Sequence, residues 1–228
     1  MQFVIDQGVR FVTTSAGDPM TYTAMLKTAG LTVFHVVPNL AGALRAVEAG
    51  VDGLIVEGGE GGGFKNPKDV STMVLVPQVV AAVDVPVVAA GGVMDGRSMA
   101  AAFALGAEGV LMGTRILTAA ECPVHDNWKQ AIVRADATDT VFLNRAGPGP
   151  ALRALRTERT TRIEREGAPG GIFAEFADTQ AVYFGGDLEA GVALTGQVAG
   201  RIDSVKPVAA IFDETMREYA EVVARMPR

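Results

Sequence analysis

Residues 51–63 read VDGLIVEGGEGGG, a short apolar segment that runs into five glycines within six residues. The apolar segment predicts a buried strand, and the glycines predict a flexible loop at its carboxyl end. Ligands of parallel α/β proteins bind at the carboxyl ends of the strands. Because VPVVAAGG at 85–92 and GVLMGT at 109–114 follow the same plan, we expect the three strand ends to converge on one phosphate-bearing cofactor.

Strand-like and helix-like patterns alternate over residues 1–115. Strands are predicted at 9–14, 32–37, 53–56, 85–90 and 109–112, with helices at 21–28, 39–49, 72–83 and 97–105. Continuously apolar strands separated by helices are typical of a parallel sheet that is covered on both faces. The joint EAGVDGLIVEG at 48–58 recurs as ALGAEGVLMGT at 104–114, which is typical of a barrel or a doubly wound sheet.

The later glycine pairs fit a phosphate, which needs N–H donors at close approach. Gly91-Gly92 is followed by a predicted helix, and Gly113-Thr114 lies at the next strand end. In a (β/α)8 barrel, the loops after the seventh and eighth strands commonly hold a phosphate. We therefore interpret the last two predicted strands as the end of a barrel. Two alternatives stay open: the glycines only form tight turns, or the chain is a phosphate-sugar isomerase or synthase.

The pattern changes after Thr114. Helices are predicted at 116–135, with an interruption at Pro123, and at 153–166, 190–200 and 208–225. The chain therefore divides into two predicted domains. Residues 1–115 form a partial barrel with the cofactor loops, and residues 116–228 form the last barrel helix and a C-terminal helical appendage.

The composition limits the class of protein. The net charge of −6 disfavours nucleic-acid binding, and the longest apolar stretch, at 74–90, is interrupted by Gln78, Asp84 and two prolines, so no membrane span is predicted. The first residues do not predict a signal peptide. One cysteine and two distant histidines argue against a metal site. We expect a cytosolic protein with a small-molecule substrate.

Three segments resemble the FMN-dependent nitronate monooxygenase family, formerly called 2-nitropropane dioxygenases: VEGGEGGGF at 56–64, VPVVAAGGVMDGRSMAAAFALGAEGVLMGTRIL at 85–117 and ECPVHDNWKQAI at 121–132. The resemblance implies an FMN-binding TIM-type barrel, here with about five βα units, followed by a helical appendage. It also implies a flavin-dependent oxidoreductase. Because the family includes quinone reductases and enoyl-carrier-protein reductases that use NAD(P)H, a nicotinamide electron donor is a further expectation.

The resemblance also implies positions for the cofactor. The positions that match the two phosphate loops are Ala90, Gly91, Gly92, Met112, Gly113 and Thr114. The positions that match residues beside the flavin ring are Glu57, Gly61 and Gly62, and many family members have a glutamine in place of Glu57.

Phe64 departs from the family pattern. Many members have a histidine there that serves as the catalytic base toward nitronates, whereas a phenyl ring cannot accept a proton. The sequence therefore argues against nitronate oxidation itself. The candidates for proton transfer are Glu60, inside the glycine run, and His35, within the second predicted strand. Each has a structural alternative, because Glu60 could be an ordinary loop acid and His35 a core residue.

The segment EGGEGGGFKNPKDVSTMVLVP at 57–77 is similar to a branch of the family found with actinobacterial sterol-ring degradation. That branch is thought to dehydrogenate a ring fragment held as a CoA thioester. The similarity implies that Phe64 and Lys65 contact the substrate, and that Lys65 and Lys68 meet the CoA phosphates. The alternative for both lysines is solvated loop charge.

Five predicted strands are fewer than the eight of a closed barrel. An open sheet leaves two unpaired edges, which proteins usually cover. The sequence thus leaves three possibilities: a fragment of a longer protein, a barrel that a second copy or a partner chain covers, or a non-catalytic relic.

Overall fold

The structure, a computed structural model, describes residues 1–226. Within these residues the strands are β1 Phe11–Thr14, β2 Thr32–Val37, β3 Gly53–Glu57, β4 Gly63–Lys65, β5 Val87–Ala90, β6 Gly109–Leu111, β7 Thr140–Leu143 and β8 Ala151–Leu155. The α-helices are α1 Gln2–Asp6, α2 Thr23–Thr28, α3 Leu40–Glu48, α4 Thr72–Val80, α5 Gly96–Ala104, α6 Thr114–Leu117, α7 Asp126–Arg134, α8 Glu158–Glu166, α9 Thr179–Tyr183 and α10 Val208–Arg225. Short 3-10 helices span Pro19–Thr21, Ile172–Phe176 and Gln197–Arg201.

The described chain forms two compact units. Unit 1 comprises Met1–Gly58, Val70–Ala90 and Ala101–Leu111. Unit 2 comprises Gly59–Asp69, Gly91–Ala100 and the described chain from Met112 onward.

Unit 1 contains a five-stranded sheet in the order β1-β2-β3-β5-β6, and all neighbours are parallel. The strands follow one another in chain order without a reversal. A doubly wound sheet reverses its strand order at a switch point, whereas a (β/α) barrel does not. The predicted α/β class is therefore confirmed, and the strand order is consistent with part of a barrel.

The core of unit 1 lies between β3 and the helices that cover it. Leu54 and Val56 of β3 are fully buried, as are Ala46 of α3 and Leu75 of α4. Gly53 begins β3, and a Cβ atom there would lie 2.5 Å from Cε2 of the Phe34 ring. The continuously apolar strand that the sequence predicts is thus covered on both faces.

The helix ends in unit 1 follow the predicted signals. The Asn39 side chain accepts a hydrogen bond from the Gly42 N–H over 2.8 Å, which caps α3. Gly50 follows α3 with a φ angle of 86°, in the left-handed region that glycine adopts freely. The predicted helix at 39–49 is therefore confirmed.

The edges of the sheet carry exposed apolar side chains. Within residues 1–226, β1 and β6 each pair on one side only. Phe11 of β1 is 51% exposed, and Leu111 of β6 is 41% exposed. Both features are typical of sheet edges that another segment or chain can cover.

Unit 2 contains a three-stranded antiparallel sheet in the order β4-β8-β7. The expectation of helices alone after residue 115 was wrong here. The predicted helix at 153–166 begins as β8, and only Glu158–Glu166 is helical. β8 is the central strand, because β7 and the distant β4 pair with its two sides, and all five of its residues are buried. This pairing depends on contacts that a local pattern does not contain.

The predicted helix at 190–200 was also wrong. The structure has only the 3-10 helix Gln197–Arg201 at its end. Thr195, fully buried, accepts a hydrogen bond from Trp128 Nε1 over 3.0 Å and donates one to the Ala193 carbonyl oxygen over 3.1 Å. These hydrogen bonds stabilise a non-helical backbone in a stretch of small residues.

The last helix, α10, is confirmed at the predicted residues 208–225. It packs on the start of α5, where a Cβ on Gly96 would lie 2.5 Å from the Thr215 carbonyl oxygen. The Glu218 carboxylate accepts a hydrogen bond from the Gly96 N–H over 2.9 Å and pairs with Arg97 at 2.9 Å. Among residues 1–226, no helix is both long enough and apolar enough to cross a membrane.

Candidate functional site

The carboxyl ends of three neighbouring strands lie in register in unit 1. Glu57 of β3 pairs with Ala90 of β5, and Ala90 pairs with Leu111 of β6. The Gly58 N–H also donates a hydrogen bond to the Ala90 carbonyl oxygen over 3.0 Å. The loops that follow β3, β5 and β6 therefore begin at the same edge of the sheet.

The first predicted phosphate loop needs glycine for its backbone. Gly91 and Gly92 have φ angles of 82° and 79°, which L side chains rarely adopt. In unit 2, a Cβ atom on Gly92 would lie 3.7 Å from the Glu60 Cβ, and Gly61 beside Glu60 is buried. The structure thus brings one predicted catalytic residue to a predicted cofactor loop.

The second predicted phosphate loop has a glycine that neither its backbone nor its packing requires. Gly113 has a φ angle of −89°, which any residue can adopt, and it directly precedes Thr114 of α6. It is exposed, and a Cβ atom on it would meet nothing within 4 Å. Glycine at this position keeps the backbone open to close approach by a ligand. Gly113, next to the half-buried Met112, therefore fits a bound phosphate.

A third segment, which the sequence analysis missed, contacts both of these regions within unit 2. The Gly196 N–H donates a hydrogen bond to Thr114 Oγ1, and the Gln197 N–H donates one to the Glu60 carbonyl oxygen, each over 2.9 Å. A Cβ atom on Gly62 would lie 2.7 Å from the Gly196 nitrogen. Only glycine at Gly62 permits this backbone contact. A lone glycine among small residues gave no signal that could locate the segment.

Arg153 was also missed, and it holds the start of the glycine run. Its Nε donates a hydrogen bond to the Gly59 carbonyl oxygen over 2.6 Å, and its Nη1 donates one to Thr140 Oγ1 over 3.3 Å. Burial lowers the pKa of the guanidinium, and the nearby charges of Asp69 and Glu60 act in the opposite direction. Arg153 belongs to β8, where it pairs with Gly63 of β4. The sequence had instead predicted a helix at 153–166, so this contact with the glycine run was not expected.

The two predicted substrate residues lie on opposite faces of β4. Phe64 is 45% exposed and contacts the rings of Phe173 and Phe176, whereas Lys65 is buried. Solvated charge is therefore the wrong description of Lys65, although it fits the exposed Lys68. The role of Phe64 and Lys65 in substrate binding stays a prediction.

His35 lies in unit 1, whereas Glu60 lies in unit 2. The His35 Nδ1 and Thr14 Oγ1 atoms are 2.7 Å apart and share a hydrogen bond. Burial lowers the pKa of His35, and the charge of Asp18 opposes this shift. The pair borders a cavity of about 390 Å³ that is also lined by residues 15–19, Tyr22 and Thr23. A neutral imidazole in this cavity could donate or accept a proton, so His35 stays a catalytic candidate.

The lowered pKa of His35 predicts a pH-dependent contribution to stability. The unfolded chain takes up a proton near the ordinary pKa of 6.5, whereas the folded chain does so at lower pH. This contribution to the free energy of unfolding should therefore be complete above that pKa and decrease as the pH falls through it. Urea denaturation between about pH 7.5 and about pH 5 should show a shallower decrease for His35→Gln. Equal decreases in both proteins would contradict the prediction.

The profile of the family described as nitronate monooxygenase matches residues 1–218. The chain belongs to the nitronate monooxygenase family. This membership confirms the resemblance found in the sequence and replaces the alternative of a phosphate-sugar isomerase or synthase. It also confirms that the chain comes from a family of flavin-dependent oxidoreductases.

Curated relatives of this nitronate monooxygenase family member carry two kinds of name. The chain is 38% identical over 174 residues to a (3aS,4S,5R,7aS)-5-hydroxy-7a-methyl-1-oxo-octahydro-1H-indene-4-carboxyl-CoA dehydrogenase of Rhodococcus jostii, with 76% of this chain and 48% of the relative covered. It is 37% identical over 168 residues to a probable nitronate monooxygenase of Staphylococcus saprophyticus, with 69% and 47% covered. The chain thus spans about half the length of the curated relatives it matches.

Two solved structures are similar to this chain over almost all of its length. FabK from Thermotoga maritima is 41% identical with a TM-score of 0.91, and the match covers 98% of this chain and 72% of FabK. A nitroalkane oxidase from Streptomyces ansochromogenes is 25% identical with a TM-score of 0.82, and the match covers 98% of this chain and 67% of the oxidase.

Proposed function

We propose that this chain provides the FMN phosphate loops and the proton-transfer residue of an oxidoreductase that acts on a CoA- or carrier-linked thioester. The observation that carries the proposal is the meeting, within unit 2, of Glu60, Gly92, Thr114 and the segment at 195–197. These residues come from four separate parts of the sequence. Such convergence is expected of a ligand site and is not required for tight turns.

The residues present fit FMN at its phosphate. Gly91, Gly92 and Gly113 would present backbone N–H groups at close approach, and the Thr114 hydroxyl lies at the same loop. When bound, the flavin would supply the hydride chemistry that no side chain provides. The chain's own residues would hold the cofactor and move the proton. NAD(P)H as an electron donor belongs to the reductive direction of the same proposal, in which the flavin would pass the hydride on to the thioester.

A thioester is favoured over a nitronate as the substrate. Phe64 cannot accept a proton, which removes the base expected for nitronates. The carboxylate of Glu60 lies beside the Gly92 loop and would accept a proton from the carbon next to the thioester carbonyl. One curated relative is itself named as a carboxyl-CoA dehydrogenase, which supports this choice. We infer that the nitronate activity named for other relatives is not the function of this chain.

The wider architecture is part of the proposal. The parallel strands of unit 1 would be part of a TIM-type barrel formed by residues 1–115, with residues 116–228 as an appendage. The exposed edges at β1 and β6 would be covered by further strands of a longer protein, by a second copy of the chain or by a partner chain. A non-catalytic relic is the competing description, and flavin binding separates the two.

Titration with FMN tests the proposed function. The purified chain should acquire the visible absorption bands of an oxidised flavin. The substitution Gly113→Val should raise the Kd for FMN at least about tenfold because its side chain occupies the approach of the phosphate. Its thermal unfolding should be unchanged, since a Cβ atom there meets open space.

The matched control for this titration is Ala104→Val, which adds a similar side chain at an exposed position of α5. This variant should bind FMN as tightly as the original chain. Failure of the unaltered chain to bind FMN would refute the proposed function for this chain. An equal loss in both variants would mean that Gly113 does not contact the phosphate.

A further inference from the structure

Three aromatic rings form a cluster beside the candidate site in unit 2. The Phe64 ring lies 5.6 Å from the Phe176 ring and 6.0 Å from the Phe173 ring, measured between centroids. Phe173 and Phe176 are stacked at 6.5 Å. These separations are those of rings in contact. We call Phe64, Phe173 and Phe176 the aromatic platform.

The aromatic platform is attached to the core of unit 2 on one side and is exposed to solvent on the other. Phe64 lies on β4, which pairs with β8. Phe173 and Phe176 lie on the 3-10 helix Ile172–Phe176, and Ile172 at its start is buried in the core of unit 2. Phe176 packs against the same core. In contrast, Phe64 is 45% exposed and Phe173 is 63% exposed. Rings that are fixed in place and still exposed lose little conformational entropy when a ligand covers them.

The position of the aromatic platform relates it to the chemistry of the site. Phe64 follows Glu60 by four residues, so their Cα atoms are at most about 14 Å apart even in a fully extended chain. The Phe64 part of the platform and Glu60 therefore lie close together along the chain in unit 2. An acyl group that carries a ring extends further from a reacting carbon at Glu60 than an acetyl group does.

We propose that the aromatic platform binds the apolar ring portion of a cyclic carboxyl-CoA thioester, and that Phe173 and Phe176 determine the preference for cyclic acyl groups. This inference rests on the proposed function, because it places the reacting carbon at Glu60. Aromatic side chains suit such a ligand because they offer a flat apolar surface of fixed geometry. The three rings carry no charge, so the CoA phosphates are not part of the platform.

Calorimetric titration with two thioesters tests the proposal. The probes are cyclohexanecarboxyl-CoA and acetyl-CoA, which share the CoA moiety and differ in the acyl group. The original chain should bind the cyclic thioester more tightly. The substitution Phe173→Ala should raise the Kd for cyclohexanecarboxyl-CoA about tenfold and that for acetyl-CoA less than about twofold.

Two further variants control the experiment. Phe212→Ala removes a phenyl ring that is 52% exposed on α10, and it should change neither Kd. Phe173→Leu keeps an apolar side chain and should retain part of the preference. Because Phe173 is largely exposed, thermal unfolding of Phe173→Ala should match that of the original chain.

Two outcomes overturn the proposal: an original chain without preference for the cyclic thioester, or equal losses for both thioesters in Phe173→Ala. Neither outcome depends on flavin binding, so FMN could still bind and support the proposed function. Conversely, tighter binding of the cyclic thioester by the original chain, with loss of this preference in Phe173→Ala, supports ring binding by the aromatic platform. This conclusion holds even where the same preparation does not bind FMN.

Discussion

The substitution Glu60→Gln is expected to lower the rate at which cyclohexanecarboxyl-CoA reduces the bound flavin by about 10²–10⁴-fold. Glutamine has the shape of glutamate but cannot accept a proton at neutral pH. The carboxylate lies beside Gly92, where a Cβ atom would be 3.7 Å from the Glu60 Cβ, so the loss should arise at the cofactor loop. Anaerobic single-turnover absorbance measurements record the rate directly.

The control for this experiment is Glu108→Gln, an exposed acid just before β6. It should leave the rate unchanged. The Kd for FMN should also be unchanged in Glu60→Gln, since the backbone carbonyl of residue 60 still accepts the hydrogen bond from Gln197. An unaltered rate would assign the proton transfer to another group, with His35 the first to examine. A large loss of FMN affinity would instead make Glu60 a positioning residue.

The substitution Arg153→Leu is expected to reduce the free energy of unfolding by about 3 kcal/mol. The buried guanidinium donates hydrogen bonds to the Gly59 carbonyl oxygen and to Thr140 Oγ1, and leucine leaves both without this donor. The loss also removes the positive charge that faces Glu60. Urea denaturation monitored by circular dichroism gives the change.

Arg145 offers a matched control for this prediction. Its guanidinium lies over the Phe142 ring at 4.8 Å, as that of Arg153 does at 5.0 Å, and it pairs with Asp69 at 2.6 Å. Its side chain is 58% exposed, so Arg145→Leu should cost only about 0–1 kcal/mol. Similar losses for both variants would show that the Phe142 contact, and not the buried hydrogen bonds, gives Arg153 its effect.

The candidate site could be predicted from sequence only where its residues lie close to a strand end. The glycines at 91–92 and 113 follow apolar strands directly, and the structure shows that the first pair adopts left-handed backbone angles. Their assignment as cofactor loops stays a prediction. By contrast, Arg153 and Gly196 contact the glycine run from positions more than ninety residues away along the chain. A pattern within a short stretch of sequence does not predict contacts between such distant residues.

The aromatic platform shows the same division. The sequence identified Phe64 because it stands where a histidine was expected, but it offered no reason to connect Phe64 with Phe173 or Phe176. That connection requires β4 to pair with β8 and the 3-10 helix Ile172–Phe176 to pack on the same core. Both depend on tertiary packing.

The sequence by itself determined the parallel α/β class, the order of the βα units in unit 1 and the position of α10. Hydrophobic periodicity, the Asn39 cap and the glycines that end helices act over a few residues, so they can be recognised in the sequence. Only the tertiary structure decided that residues 151–155 form a strand, that Thr195 stays outside a helix and that Arg153 holds the glycine run. The physical reason is that these features depend on hydrogen bonds and burial supplied by distant segments, which outweigh weak local preferences.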